Sequence, residues 1–174
     1  DECPGVQFAI VTEAGASVYS ASAIAREEFP ELDATVRGTV SIGRRLQDPL
    51  SELVKIEPQH VGVGMYQHDL PPKRLQESLG QVIESCVNFV GVDLNVASPS
   101  LLEHVSGLNQ LLARGVAAFR DEHSPFKSRR DLLKVAGIGP ATFTQAVGFL
   151  KVLDGKEPPD GTWIHPEGYE TARE

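Results

Sequence analysis

Cysteine is scarce in this sequence: Cys3 and Cys86 are the only two in 174 residues. They are too few for a disulfide framework, and neither stands at ligand spacing from a second Cys or a His. No metal or cofactor is therefore expected, and a reduced, cytoplasmic setting is the simplest one. Long apolar runs are missing too. None approaches the roughly 20 residues that span a bilayer, so no membrane contact is expected. The Asp1–Ala9 start has neither a basic n-region nor a long apolar h-region, which excludes the pattern of a signal peptide. With no initiator Met and a charged last stretch, the chain reads as a segment of a longer protein. Positive charge is the last shortage. A net charge of −8 argues against generic attraction to nucleic acid. Its distribution matters more than its sum. Residues 92–153 carry seven basic and five acidic side chains and are the one net-positive section.

What is present is mostly helical patterning. Val6–Val11 is a short β-rich run and reads as one buried strand. Ser20 is placed to cap a helix running to about Phe29, where Pro30 stops it. Asp33 is placed to cap the next helix, Pro49 breaks that one, and a second short helix carries Leu50, Leu53 and Val54. One strand followed by helices is half of an α/β unit, so residues 1–60 read as the end of a domain begun upstream. Residues 61–96 read as a loop and a connector helix. Pro71 and Pro72 open that helix. Leu75, Leu79, Val82, Ile83, Cys86, Val87 and Val90 recur at helical spacing and predict a buried side, and Gly91 ends it.

Residues 97–153 repeat internally at an offset of 30. Leu102 matches Leu132, Val105 matches Val135, Gly107 matches Gly137, Leu108 matches Ile138, and Phe119 matches Phe149. Each copy reads as a short helix, a Gly-containing hairpin and a longer helix. Residues 154–174 read as a polar linker and the start of a further element.

The second hairpin, Val135-Ala136-Gly137-Ile138-Gly139-Pro140, has the helix-hairpin-helix pattern. Its two glycines permit φ > 0 and close approach, while Ile138 anchors the turn in the core. Amides of such a turn, at a helix that Pro140 begins, point outward together and attract an anion the size of a phosphate. They read no base, so binding is expected to ignore sequence. The first hairpin has Asn109 in place of the second glycine. Asn tolerates the left-handed region best among other residues, so that turn is expected to form as well. Gly107, Leu108, Asn109, Gly137, Ile138 and Gly139 are thus the hairpin residues expected at a nucleic-acid interface. Arg114, Lys127, Arg129, Arg130 and Lys134 are the cations expected to supplement them. RNA and DNA both fit as partners. The alternative is that the hairpins are only tight turns in a scaffold that positions other domains or proteins.

The stretch Ser124-Pro-Phe-Lys-Ser-Arg-Arg-Asp-Leu-Leu-Lys-Val-Ala-Gly-Ile-Gly139 resembles the tandem helix-hairpin-helix modules of the ComEA and Tex families. Glu13-Ala-Gly-Ala-Ser-Val-Tyr-Ser-Ala-Ser22, the run Ser41–Ile56, Gly62–Asp69, Glu84–Asn95 and His165-Pro-Glu167 are similar to Tex. The resemblance covers essentially the whole chain. It implies a mainly α segment: the C-terminal part of a YqgF-like, RNase-H-like α/β domain, then a helical connector, then the tandem helix-hairpin-helix domain. It also implies nucleic-acid binding and an association with the transcription machinery. An RNA-binding OB-fold domain follows downstream in that family.

RNase-H-like nucleases hold divalent metals on several carboxylates. Glu13 and Asp48 are the only candidates here, and two carboxylates do not make a metal centre. Glu13 is expected at a turn and Asp48 as the cap of the helix opened by Pro49. No catalytic residue is assigned, and a metal-dependent nuclease is the weakest alternative. His60, His68, His104, His123 and His165 have no partner at ligand spacing and read as surface or structural. Gly62-Val63-Gly64 lacks the third glycine of a dinucleotide site. Tyr66, Gln67 and His68 are polar or aromatic and are candidates for contact with another domain.

Overall fold

Proline, glycine and capping side chains set the element boundaries throughout the computed structural model, which describes residues 7–62 and 64–173. The fold is mainly α and divides into two units, Asp1–Gln76 and Glu77–Glu174.

In the first unit Gly15, at φ +72°, turns the chain into α1 (Ala16–Ala21). The single helix predicted from a Ser20 cap is instead two. Ser22 is extended, and its Oγ accepts from the Ala25 N–H at 3.1 Å, which starts α2 (Ala23–Glu28). Ser20 lies inside α1 and donates its hydroxyl to the Ser17 carbonyl. Both serines offer the backbone a local partner, and the one whose own angles leave the helix becomes the cap. Asp33 caps α3 (Ala34–Gln47) as predicted, accepting from Val36 at 2.9 Å. Asp48 caps α4 (Pro49–Leu53), with Pro49 in its first turn.

Tyr19, Ala25 and Ile56 form the apolar core of this unit, flanked by Ile24 and Val61. A charged cluster runs beside it. Lys55 pairs with Glu28 at 2.8 Å and Glu52 at 2.7 Å, Ser41 donates to Glu52, and Tyr19 donates to Glu28. Lys55 and Glu52 are buried, which is tolerable because each ion has its counter-ion. The predicted Val6–Val11 strand is not seen. Val6 lies outside the described residues, residues 7–13 have no regular structure, and Phe8 and Ile10 are 91% and 95% exposed. A strand needs a hydrogen-bonded neighbour, and no described residue supplies one.

Pro72 opens α5 (Pro72–Val90), and Gly91, at φ +74°, ends it with its N–H on the Val87 carbonyl at 2.9 Å. The expected buried side is largely open. Val87 alone among the seven periodic positions is buried, and Val82, Cys86 and Val90 are exposed. Periodicity marks an apolar face but says nothing about what covers it. No described helix is long and apolar enough to cross a membrane.

The second unit contains the repeat. Ser98 caps α6 (Pro99–Leu102), and the first hairpin leads into α7 (Gln110–His123). In the second copy the short leading element is a 3-10 turn, Arg129–Lys134, rather than an α-helix. Its hairpin leads into α8 (Pro140–Ala146), which continues as the 3-10 turn Val147–Phe149. Two short strands, β1 (Val92–Asp93) and β2 (Leu150–Lys151), pair in parallel with Val92 opposite Leu150. This two-residue pairing departs from the helical patterning of the sequence. The matched pairs Leu102 and Leu132, Val105 and Val135, and Leu108 and Ile138 are all buried, so the sequence repeat is a repeat of core positions.

The stretch after residue 153, read as linker and truncated element, is packed onto the repeat. Asp160 is buried and accepts the Arg129 main-chain N–H at 2.9 Å and the Tyr169 hydroxyl at 2.5 Å. The Lys156 N–H donates to the Lys127 carbonyl at 2.8 Å. The last described helix is α9 (Tyr169–Arg173).

Candidate nucleic-acid interface

The two hairpins share one backbone course. Gly107 has φ +89° and Gly137 φ +87°, so the first glycine of each motif supplies the left-handed residue that the turn needs. Leu108 and Ile138 turn inward, and their N–H groups close the hairpins onto the carbonyls of Val105 and Val135 at 3.0 and 3.1 Å. Each glycine also permits close packing against the other copy. A Cβ on Gly107 would lie 3.0 Å from Gln145 Cβ and 3.3 Å from the Ala146 nitrogen; one on Gly137 would lie 3.0 Å from Leu112 Cδ2. Ala113 of α7 is fully buried.

The second motif position corrects the expectation. Asn109 has φ −116° and Gly139 φ −93°, both ordinary extended values, so neither is left-handed. These residues are the N-caps of α7 and α8, and here the copies part. Asn109 Oδ1 accepts the Leu112 N–H at 2.9 Å. The Ser106 N–H is taken by Asn88 Oδ1 at 3.1 Å, and the Ser106 hydroxyl donates to Glu84 at 3.2 Å. Two amides of the first hairpin, those of Ser106 and Leu112, are thus taken by side chains, and a carboxylate lies beside it. Gly139 gives α8 no side-chain cap, Pro140 brings no N–H, and a Cβ on Gly139 would meet nothing within 4 Å. The second hairpin is the open one.

The five expected cations divide. Arg114, Lys127, Arg130 and Lys134 are exposed. Lys134 is held at 2.6 Å by Asp131, which also accepts the N–H groups of Lys127 and Ser128. Burial alone would raise the Asp131 carboxyl, but the Lys134 ammonium and those amides outweigh it and hold it below the usual range. Arg129 does not belong at the interface. It is fully buried, and its guanidinium donates to the carbonyls of Thr162 and Ile164 and to the Tyr169 hydroxyl. Local sequence reads it as a surface cation because its acceptors lie more than 30 residues downstream. It also passes over Lys156, an exposed cation whose N–H sits on Lys127; the repeat ends before it, so no periodic signal marks it.

Asp48 does what a cap does. Its Oδ1 accepts the Ser51 N–H at 3.0 Å and its Oδ2 the Ser51 hydroxyl at 2.6 Å. Glu13 is exposed, and its carbonyl takes the Ala16 N–H of the turn at 2.9 Å. Among the described residues no three His, Cys, Asp or Glu side chains converge as a metal site requires.

Comparison with known proteins matches two families. The model described as the Tex protein YqgF-like domain matches residues 2–47, and that of the helix-hairpin-helix motif matches residues 87–151. The chain is 59% identical over 160 residues to "Transcriptional accessory protein Tex" of Neisseria gonorrhoeae, covering 92% of this chain and 21% of that protein. It is 55% identical over 163 residues to "Protein YhgF" of Escherichia coli strain K12, covering 94% and 21%. It is 52% identical over 147 residues to the human "S1 RNA-binding domain-containing protein 1", covering 84% and 15%. The chain therefore spans about a fifth or less of the length of these curated relatives.

Proposed function

This chain belongs to the Tex family, as a segment carrying the end of the YqgF-like domain and a helix-hairpin-helix pair, and from that premise we propose that it binds nucleic acid without reading sequence, holding a phosphate at the second hairpin. The observation that carries this reading is the uncapped start of α8 at Gly139, set beside its capped twin at Asn109. Outward amides and the positive end of α8 favour an anion, and amides distinguish no base. Exposed Lys127, Arg130 and Lys156 add positive charge to the same unit. The names of the relatives place those proteins in transcription and RNA binding; we extend that setting, and the cytoplasm, to this one. The segment acts as a binding module and not as a catalyst: Asp48 serves as the cap of α4, accepting from Ser51.

The test copies the closed hairpin onto the open one. Gly139 has room for a side chain and an ordinary φ, so Gly139→Asn should fold. It should gain a few tenths of a kcal/mol as a better cap, yet lose affinity several-fold because its own Oδ1 takes the amide. Binding is titrated against single- and double-stranded DNA and RNA across salt. A folded Gly139→Asn that binds as tightly as the parent would make a scaffold the better reading, as would a parent that fails to bind at low salt. The scaffold has its own support: Asn88 and Glu84 lock the first hairpin onto α5.

A further inference from the structure

Near the C-terminal end of α8, at the far end from the second hairpin, lies an open groove of about 880 Å³. Ser85, Phe89 and Val90 of α5, Gly148 and Phe149 after α8, and Trp163 line it, together with Asn88, whose amide is already bonded to Ser106. Phe89 is 84% and Trp163 55% exposed.

Trp163 is exposed but held in place. The Lys151 ammonium stands 3.4 Å from the ring centroid and donates to the Val90 carbonyl at 3.2 Å. The carbonyls on either side of Trp163, those of Thr162 and Ile164, are held by buried Arg129. Gly91 leaves room for the ring, since a Cβ there would lie 2.9 Å from Trp163 Cζ3. An aromatic surface oriented in advance binds a flat partner at a smaller entropic cost than a mobile one.

The charge around the groove narrows the partner. None of its lining side chains is ionised, and the one charge against its aromatic wall is the Lys151 cation. Glu84, one turn earlier on α5, faces Ser106. In a chain of net charge −8 this is a lining without an acid and with a cation against its aromatic wall, which suits an aromatic group carried on an anionic backbone. We propose that the groove stacks an unpaired nucleobase against Trp163. The segment then holds single-stranded nucleic acid by a phosphate at one end of α8 and a base at the other. This rests on the nucleic-acid reading above. Gly139 and Gly148 are nine residues apart, about 14 Å along a helix, a span of a few nucleotides. A base paired within a duplex cannot reach the ring without leaving its stack.

Trp163 is the single tryptophan of the chain, so its fluorescence reports the groove directly. The whole chain is titrated with oligo(dT), with an abasic strand of equal length and with a duplex, while anisotropy of the labelled strand reports binding independently. Oligo(dT) should quench Trp163 by at least half. The abasic strand should bind about tenfold more weakly and without quenching, and the duplex should leave the emission unchanged. Trp163→Ala should bind oligo(dT) no better than the parent binds the abasic strand, and Trp163→Phe, which preserves the packing, should recover part of the loss. Oligo(dT) that binds without changing the emission, or an abasic strand that binds as tightly, overturns base stacking and leaves the hairpin reading standing. Absence of binding by either strand overturns both. A blue shift that grows with protein concentration alone would give the groove to a second copy and also overturn the proposal.

Discussion

Arg129 and Arg130 are neighbours in sequence with opposite fates, and the difference is made entirely by what lies across from them. The Arg129 guanidinium is enclosed, with Thr162, Ile164 and Tyr169 as acceptors and its Nε left without a partner. Arg130 is exposed and forms no ion pair among the described residues. Each should therefore fail in its own way when replaced. Arg129→Met removes the donors and strands two carbonyls, so it should lower unfolding stability by about 3 kcal/mol in a denaturant titration. Arg130→Ala should leave stability within about 0.5 kcal/mol and reduce the log–log salt slope of binding by about 0.9 if it touches one phosphate. An Arg129→Met protein as stable as its parent would mean that the buried network is not what holds residues 157–169 in place. In the sequence both arginines read alike, because burial depends on partners that local pattern does not reveal.

At the scale of elements, the signals that proved legible were those acting within a few residues. Asp33, Asp48 and Pro72 mark helix starts, and Gly91 marks a stop, since a cap or a fixed φ acts on its own turn. The hairpins were legible for the same reason, and the 30-residue repeat located both. What escaped depended on distant chain. The pairing of Val92 with Leu150 joins residues 58 positions apart and is too short to leave a pattern. The α5 face showed its period but not its cover. The asymmetry of the hairpins was half legible: Asn109 was visibly different from Gly139, but its role as a cap needed the angles. Ser124 is a further case. It ends α7 at φ +116° and ψ 165°, a region that side chains avoid, just before Pro125. Strain of this kind costs about 1–3 kcal/mol, and glycine would relieve it while adding roughly 0.5–1 kcal/mol of chain entropy to be lost on folding. Ser124→Gly should therefore stabilise the protein by about 1 kcal/mol, a rise in Tm of roughly 2–4 °C. An unchanged or lower Tm in a thermal melt would show that the surroundings compensate the strain.

At the scale of the whole molecule, the polar clusters give stability a pH range. Burial first, then the hydrogen bond to Asp160, pushes the Tyr169 phenol up to about 12. Tyr19 is likewise raised, by burial and by Glu28. A phenol whose pKa is higher when folded stabilises the fold fully below its unfolded value of about 10, and that contribution disappears as pH rises through the folded value. The window for Tyr169 thus runs from pH 10 to 12. Lys151, lowered first by its burial and then by Arg129, acts in the opposite sense over its own range. Parent and variant must therefore be compared at each pH. Asp131, held low, stabilises above its unfolded value near 4 and loses that contribution as pH falls below it. Between these limits the balance should be flat in both groups. Tyr169→Phe should be less stable than the parent at pH 7, having lost the bond to Asp160, and the gap should narrow steadily between pH 10 and 12. Ultraviolet titration should show the parent ionising one late tyrosine more than the variant. A gap that stays constant to pH 12, or a Tyr169 that ionises near 10, would mean that the Asp160–Tyr169–Arg129 cluster does not hold the phenol as described. The docking of residues 154–173 onto the repeat would then have to rest on its carbonyl contacts alone.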